Sequence, residues 1–372
     1  MKVLLAPDSF KGCLSSKEVC EALEKGIKEF SKDIDVMQFP SSDGGEGFCD
    51  CMRNIFGGEI VRLAVSYPLG NRGASSFVYN RDTKTAYIEL ASASGLMLVR
   101  EEERDIMNSS TYGTGELMRE AVRIGAKTLV VGLGGSATND CGIGILSALG
   151  MRFYDANGNE LPPIAKSLDK VCKADKNQLL DLSNIKIVAA CDVKNPLCGI
   201  NGAAEVFSRQ KGASEEEVKL LDAALLSFAQ VMGIDPSLQG AGAAGGVGAA
   251  ILSVLGGKYV SGASLLLDSS IFATALKGTD VLITGEGNTD AQTAYGKLVS
   301  VVLEAAHKYK IYSYVVSGGL SQGYEALRSL GVREFYSLVD DNHPIEYCLK
   351  NAKEMISEKA YTIFESMKKV SS

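Results

Sequence analysis

One glycine-rich stretch, residues 127–150, constrains the fold of this chain more than any other. It opens with a β-branched, apolar run at Thr128, and small residues then replace large side chains as far as Thr138. After this loop, apolar side chains recur at helical spacing from Ile143 onward. The pattern predicts a buried strand, a glycine-rich turn and a helix, which is the unit from which α/β sheets are built.

The predicted turn is a candidate anion site. The first N–H groups of a helix have no partner within the helix, and the helix dipole makes this end positive. A phosphate can therefore lie against the bare backbone, with the hydroxyls of Ser136 and Thr138 as further donors. A tight turn whose glycines serve only close packing explains the same residues equally well.

The same loop keeps a second function open. Gly132-x-Gly134-x-x-Ala137 is a loose form of the dinucleotide-binding fingerprint, and Asp155 lies near the position of a ribose-binding acid. This spacing suits an NAD(P)-dependent oxidoreductase. However, Asp155 begins an Asp-Ala-Asn-Gly run, which is typical of the turn of a β-hairpin. The sequence has no GxxxxGK[ST] pattern, so an ordinary P-loop is not predicted.

Charge and cysteine usage limit the partners and the compartment. The formal net charge is −7 and no basic stripe occurs, which argues against nucleic-acid and membrane-surface partners. The first residues form a strand pattern that is too short and too quickly polar for a signal peptide or a membrane span. The nine cysteines are scattered without metal-ligand spacing, and the two histidines lie far from them. We therefore expect reduced thiols in a cytoplasmic protein.

Hydrophobic periodicity indicates two domains. With 372 residues the chain favours two domains over one. Apolar runs alternate with helical patterns near both ends, whereas residues 59–90 alternate like antiparallel strands. We predict a discontinuous Rossmann-like or flavodoxin-like parallel-sheet domain, residues 1–58 plus 268–372. The second, inserted α/β domain, residues 59–267, is predicted to contain a mixed sheet.

Acids and lysines follow the predicted strands at their carboxyl ends, where open α/β sheets bind ligands. They are Asp8, Lys11, Asp43, Glu46, Asp192, Lys211, Glu286, Asp290 and Lys297. Singly, each is more often a solvated side chain or a helix-start acid, and the recurrence is what favours a functional role. Magnesium needs only one or two carboxylates, while lysines and loop amides offset phosphoryl charge. The residues alone thus predict an α/β enzyme that handles an anion, and they suit phosphoryl transfer.

Seven motifs follow one another along nearly the whole chain. They are APDSFKG at 6–12, SDGGEG at 42–47, GTGEL at 113–117, GGSATND at 134–140, CDVKNPL at 191–197, VFSRQKGA at 206–213 and GEGNTDAQTAYGK at 285–297. Together they resemble the glycerate kinase family of the two-domain bacterial type. The resemblance implies ATP-dependent phosphorylation of D-glycerate with Mg²⁺ in a cleft between two α/β domains. It favours 2-phosphoglycerate over 3-phosphoglycerate and leaves the oligomeric state, including a homo-oligomer, open.

The resemblance also implies roles for individual residues. Asp192 is the hypothesised base, with Asp8, Asp43 and Asp290 as rivals, and Lys11 and Lys211 are expected to contact phosphate or carboxylate. The expected Mg²⁺ ligands are Asp43, Glu46 and Asp290. The other cofactor-binding residues are expected to be Gly134, Gly135, Ser136, Thr138, Asn139, Asp140, Glu286 and Lys297.

Two places depart from the family pattern. Cys141 stands where the family loop GGSATNDGG has a glycine, and Asn288 and Thr289 stand where the family has an arginine and an aliphatic residue. If that arginine contacts phosphate, its loss affects rate or substrate preference. A non-catalytic anion-binding relative therefore stays open as a third function, beside the kinase and the oxidoreductase.

Overall fold

The chain folds into two compact units. The computed structural model describes residues 1–10, 12–40, 44–267, 270–294 and 298–371. Unit 1 comprises Met1–Ser42 and Gly262–Ser372, and unit 2 comprises Asp43–Ser261.

The strands in chain order are β1 (Lys2–Leu5), β2 (Asp35–Gln38), β3 (Glu59–Ser66), β4 (Arg72–Asn80), β5 (Thr85–Glu89), β6 (Thr128–Gly132), β7 (Arg152–Tyr154), β8 (Lys173–Asp175), β9 (Lys186–Ala190), β10 (Lys258–Val260), β11 (Val281–Thr284), β12 (Asn288–Thr289), β13 (Tyr312–Ser317), β14 (Gly319–Leu320) and β15 (Val332–Ser337).

The α-helices are α1 (Ser16–Phe30), α2 (Phe48–Phe56), α3 (Ala91–Ser94), α4 (Tyr112–Arg123), α5 (Ile143–Ala148), α6 (Ala203–Phe207), α7 (Glu215–Met232), α8 (Ala243–Ala249), α9 (Gly262–Leu267), α10 (Ser270–Leu276), α11 (Leu298–Lys308) and α12 (Ile345–Ser371).

Unit 1 is built on a parallel sheet of five strands in the order β15-β13-β11-β1-β2. Numbered along the chain within this unit, the order reads 2-1-3-4-5, which is the flavodoxin-like arrangement. Buried side chains of β1 and β11 pack with those of α1 and α12, among them Leu5, Ile27, Ile283 and Phe364. The strand order reverses between β1 and β11, and ligands of such folds bind at the carboxyl ends of the strands flanking this point.

Unit 2 is built on a mixed sheet of six strands in the order β10-β9-β6-β5-β4-β3. Strands β3, β4 and β5 are antiparallel neighbours, whereas β5, β6, β9 and β10 run parallel. The core between this sheet and α4 contains Phe77, Ile88, Leu117 and Val131, all fully buried. The parallel strands end at one edge of the sheet, and the loops that follow β6 and β9 at this edge carry the GGSATND and CDVKNPL motifs.

The predicted fold class is confirmed, and the boundaries between the units differ from the prediction. Residues 43–58 belong to unit 2 because α2 packs on β4 and β5, where Phe56 stacks on Tyr87 with ring centroids 5.5 Å apart. Residues 262–267 belong to unit 1 because α9 packs on α10 and α11. Within the described residues, every helix is too short or too polar to cross a lipid bilayer.

Candidate active site

The reversal point of the unit 1 sheet carries Asp8. This residue follows β1, and its backbone N–H donates to the carbonyl of Gly285, directly after β11, at 2.7 Å. Gly285 cannot carry a side chain, because an added Cβ would lie 1.6 Å from the carbonyl oxygen of Val316. The half-buried Asp8 and the GEG motif therefore meet where the fold predicts ligand binding.

Two further carboxylates of unit 1 share one hydroxyl. Thr293 Oγ1 donates to Glu286 Oε1 at 2.6 Å and lies 3.5 Å from Asp290 Oδ1. Asp290 Oδ1 also accepts from the backbone N–H of Gln292 at 2.8 Å, so it caps the turn that follows. Since Mg²⁺ is usually held by one or two carboxylates plus substrate phosphates, this oxygen-rich pair fits the ion. No group of three or more His, Cys, Asp or Glu residues that could hold a metal occurs within the described residues.

Three of the predicted site residues, Lys11, Asp43 and Lys297, lie outside the described residues. The expected Mg²⁺ ligands Glu46 and Asp290 belong to different units, and Glu46 is exposed.

In unit 2, the described part of the SDGGEG motif, from Gly44 onward, packs against the ends of β6 and β9. The N–H of Gly134 donates to the carbonyl of Gly44 at 2.8 Å. A Cβ on Gly44 would lie 2.2 Å from the carbonyl oxygen of Ala190, and one on Gly134 would lie 2.3 Å from Gly45 Cα. Two backbone segments approach so closely here that only glycine fits at these positions. This agrees with the alternative in which the glycines of the loop serve close packing.

The N-terminus of α5 is occupied by a protein carboxylate. Asp140 is fully buried, and it accepts from the N–H groups of Gly142 and Gly144 at 3.0 and 3.2 Å. It also accepts from the N–H and the hydroxyl of Thr111, each at 2.8 Å. The prediction that these helix amides are free for a phosphate is wrong for Gly142 and Gly144. Burial raises the pKa of Asp140, and its hydrogen bonds from Thr111 and the two glycines oppose the rise.

Lys211 is a buried cation beside this loop. Only 3% of the residue is exposed, and Nζ donates to Ser136 Oγ at 2.8 Å and to the carbonyl of Thr138 at 2.7 Å. Burial lowers the pKa of Lys211 to about 7, and the negative charge of Asp140 opposes this shift. No carboxylate forms a direct ion pair with Lys211 within the described residues, although buried cations are usually paired in this way.

A small pocket adjoins Lys211. It is partly open to solvent, and Arg104 and Ser109 line it together with Lys211.

Two neighbouring side chains of the same loop have unsatisfied polar atoms. Thr138 Oγ1 and both polar atoms of the Asn139 amide are buried without a hydrogen-bond partner among the described residues. Such groups cost about 1 to 3 kcal/mol each when they stay unpaired. Two of the predicted site residues, Ser136 and Thr138, thus accept hydrogen bonds from Lys211, and a third, Asn139, follows Thr138 in the chain.

Asp192 follows β9 at the same edge of the unit 2 sheet and is exposed. It stands next to Cys191, whose N–H donates to the carbonyl of Val260 at 3.0 Å. An exposed carboxylate at the carboxyl end of a parallel strand is accessible to a substrate.

Sequence reasoning missed Arg104, Ser109 and Glu89. Arg104 lies in the charged run Glu101-Glu-Glu-Arg-Asp105, which is typical of a solvated surface. The one signal for a role in the site is that it lies four residues before the polar segment Asn108-Ser-Ser-Thr111. Glu89 ends β5, and its carboxylate accepts from the N–H of Cys49 at 3.2 Å. Burial raises the pKa of Glu89 to about 7. The signal for Glu89 in the sequence is a single acid at the end of a buried apolar run.

The structure shows the environment of the two departures from the family pattern, Cys141 and the pair Asn288 and Thr289. Cys141 is fully buried at φ +50°, a left-handed conformation that favours glycine. Asn288 is exposed on β12, and its Oδ1 accepts from Ser321 Oγ at 2.9 Å. Thr289 is buried with its Oγ1 2.6 Å from Ser317 Oγ.

The features that suggested a dinucleotide site have other roles. Helix α5 is only six residues long. Asp155 lies in an exposed turn, where its carboxylate accepts from the N–H groups of Asn157 and Asn159, each at 2.8 Å. The predicted hairpin turn is confirmed, since Tyr154 and Glu160 form an antiparallel bridge across it.

Comparison with known proteins decides between the remaining functions. The model of the glycerate kinase family matches residues 3–368. The chain belongs to the glycerate kinase family. A protein of Bacillus cereus named glycerate kinase is 41% identical over 98% of this chain and 97% of its own. A protein of Escherichia coli K12 named glycerate 2-kinase is 37% identical over 98% and 97% of the two chains.

The fold agrees with this assignment. A crystal structure from Salmonella typhimurium LT2 that carries the name glycerate kinase 2 matches with a TM-score of 0.83 at 36% identity. The match covers 100% of this chain and 99% of that one. Membership in this family makes the chain a kinase, which sets aside the oxidoreductase alternative.

Proposed function

We propose that this chain transfers the γ-phosphoryl group of ATP to D-glycerate in the presence of Mg²⁺, with 2-phosphoglycerate as the favoured product. The observation that carries the proposal is the family match over residues 3–368. The name of the Escherichia coli relative, glycerate 2-kinase, supports the choice of the 2-hydroxyl.

Carboxylates of unit 1 are proposed to hold the metal. Glu286 and Asp290 are the described pair that fits Mg²⁺, and Asp43 and Lys297 remain proposed contacts from the sequence. When bound, the ion neutralises part of the charge on the phosphates. Asp8 lies at the strand reversal beside the GEG motif, and we propose that it orients the same phosphates.

Groups of unit 2 are proposed to bind anionic oxygens. Lys211 donates N–H groups from a buried position, and Gly134, Gly135 and Ser136 remain proposed contacts of the nucleotide from the sequence. Asp140 acts through the loop as a positioning residue, because all of its hydrogen bonds go to Thr111 and the start of α5.

Asp192 is proposed as the base. In the transfer, the bond between the glycerate O2 atom and Pγ forms while the bond between Pγ and the bridging oxygen of ADP breaks. The hydroxyl proton passes to the Asp192 carboxylate.

The proposal is tested by ADP release coupled to a reporter enzyme, with D-glycerate, L-glycerate or no acceptor. ADP release that depends on D-glycerate and on Mg²⁺ is expected. Release at the same rate without acceptor, or no release with any acceptor, contradicts the proposal. A titration with NADH serves as the control for the oxidoreductase, and no binding is expected.

A further inference from the structure

Two cations line the small pocket of unit 2 without carboxylate partners in the described part of the chain. Lys211 reaches the pocket with two of its three N–H donors used by neutral oxygens, Ser136 Oγ and the Thr138 carbonyl. Arg104 reaches it with a guanidinium whose Nη1 donates to the carbonyl of Gln210 at 3.3 Å. Arg104 Nε is buried and has no hydrogen-bond partner within the described residues.

The backbone is arranged to bring these two side chains together. Lys211 ends a short 3-10 turn, Arg209–Lys211, and the following Gly212 adopts φ +97°. A Cβ at Gly212 would lie 2.8 Å from Arg104 Cβ, so the chain passes Arg104 only because this residue is glycine. The pairing of Arg104 with Lys211 thus depends on a glycine of the VFSRQKGA motif.

The remaining lining restricts the kind of anion. Part of the pocket wall is apolar and consists of Leu96, Val99 and Ala137. Such a wall suits the carbon atoms of an organic acid better than the oxygens of a phosphate. Asp105 also lines it, although its carboxylate accepts from the N–H and the side-chain amide of Asn108, at 3.1 and 2.7 Å. One carboxylate beside two cations favours a singly charged anion over a phosphate.

We propose that Arg104 and Lys211 bind the carboxylate of the acceptor at this pocket. The guanidinium can form two parallel hydrogen bonds to a carboxylate, while Lys211 donates its third N–H to one of the same oxygens. The inference rests on the proposed function for the identity of the acid.

The first test is steady-state kinetics of Arg104→Met, with Arg100→Met as the matched control. Arg100 belongs to the same segment, is exposed and pairs with Glu103. Arg104→Met is expected to raise the KM for D-glycerate by about tenfold or more, because a hydrogen bond to a charged group is lost. The KM for ATP should change less than about twofold, and Arg104→Lys should lie between wild type and Arg104→Met because it keeps the charge but not the fork. An unchanged KM for glycerate, or an equal rise for ATP, overturns the inference.

A second test needs no catalysis. Without nucleotide, D-glycerate and D-lactate should raise the unfolding temperature of the wild-type protein, whereas glycerol at the same concentration should not, since it has no carboxylate. The rise should be lost in Arg104→Met and kept in Arg100→Met. If the wild type shows this pattern but no kinase activity, the proposed function fails and the carboxylate site stands. If no carboxylate shifts the wild-type unfolding temperature, the carboxylate site fails.

Discussion

The two units differ in the charged groups that their candidate sites contain. In unit 2, a buried cation, Lys211, lies beside the glycine-rich loop and is held by two hydrogen bonds. In unit 1, three half-buried carboxylates, those of Asp8, Glu286 and Asp290, lie after β1 and β11, between which the strand order reverses. A buried cation whose hydrogen bonds, among the described residues, go to neutral oxygens is suited to bind an anion, and accessible carboxylates are suited to bind a metal ion.

From this difference we expect unit 2 to bind the anion and unit 1 to bind the metal ion. The unit 2 loop keeps its shape through Asp140 and tight glycine contacts, so its donors need little reorganisation when an anion arrives. The unit 1 carboxylates cap turns of the backbone and accept from Thr293. Their oxygens can also accept a cation, since each carboxylate has about four acceptor positions.

The largest expected effect concerns the base. Asp192→Asn should lower kcat by about 10² to 10⁴, the usual contribution of a general base, and added Mg²⁺ should not restore it. Steady-state kinetics with D-glycerate measures this, with Asp181→Asn, an exposed acid of the same unit, as control. If Asp192→Asn is near normal while Asp8→Asn is not, Asp192 is not the base and a carboxylate of unit 1 has that role.

The next effect concerns the metal. Asp290→Asn keeps an oxygen that can cap the turn to Gln292 but removes a charge from the proposed Mg²⁺ ligand pair. The half-saturating Mg²⁺ concentration should rise by about 10- to 100-fold, with kcat largely recovered at high Mg²⁺. Titration of activity with Mg²⁺ at fixed ATP checks this, beside Asp33→Asn as an exposed control. An unchanged Mg²⁺ requirement would remove Asp290 from the metal site.

A smaller effect depends on pH. Because burial lowers the pKa of Lys211 to about 7 from the usual 10.5, the free enzyme loses this charge as pH rises through 7. We expect kcat/KM for glycerate to fall about tenfold per pH unit above 7, whereas kcat at saturation stays flat because a bound carboxylate keeps Lys211 protonated. The charged groups that face Lys211 are Asp140, Arg104 and Asp105.

The variant Lys211→Met is the test of this assignment. The residual kcat/KM of this variant should no longer fall above pH 7. If the fall persists, it belongs to another titrating group.

The lowered pKa of Lys211 also affects the stability of the fold. Between about pH 7 and 10.5 the unfolded chain holds a proton that folded Lys211 has lost, so this group makes the free energy of unfolding rise with pH across that window.

The smallest effect tests how the unit 2 loop is held. Cys141→Gly should change the free energy of unfolding by less than about 1 kcal/mol, because relief of the left-handed backbone offsets the lost burial of the thiol. Gly142→Ala is the matched contrast: its φ is +70° and the new Cβ would lie 2.6 Å from Ala250 Cβ. It should cost about 2 kcal/mol or more. Denaturant unfolding measures both, and equal effects would show that backbone conformation does not hold the loop.

Much of the fold was accessible from the sequence, and less of the site was. The alternation of apolar runs predicts both sheets, but it cannot show that α2 packs on β4 and β5, since amphipathic helices carry no label for their partner sheet. The motif around Lys211 predicts a role in the site, but its burial follows from long-range packing. The sequence places Asp140 among the ligand-binding residues, whereas the folded backbone shows that its oxygens already accept from Thr111 and α5.

The measurement that tests the account most directly is phosphorus NMR of the product formed from ATP, Mg²⁺ and D-glycerate. The account predicts a new phosphate ester whose signal is split into a doublet by the single methine proton of 2-phosphoglycerate. A triplet from the methylene protons of 3-phosphoglycerate would contradict the choice of hydroxyl. ATP consumption without a glycerate ester, or no reaction at all, would contradict the proposed kinase activity on glycerate.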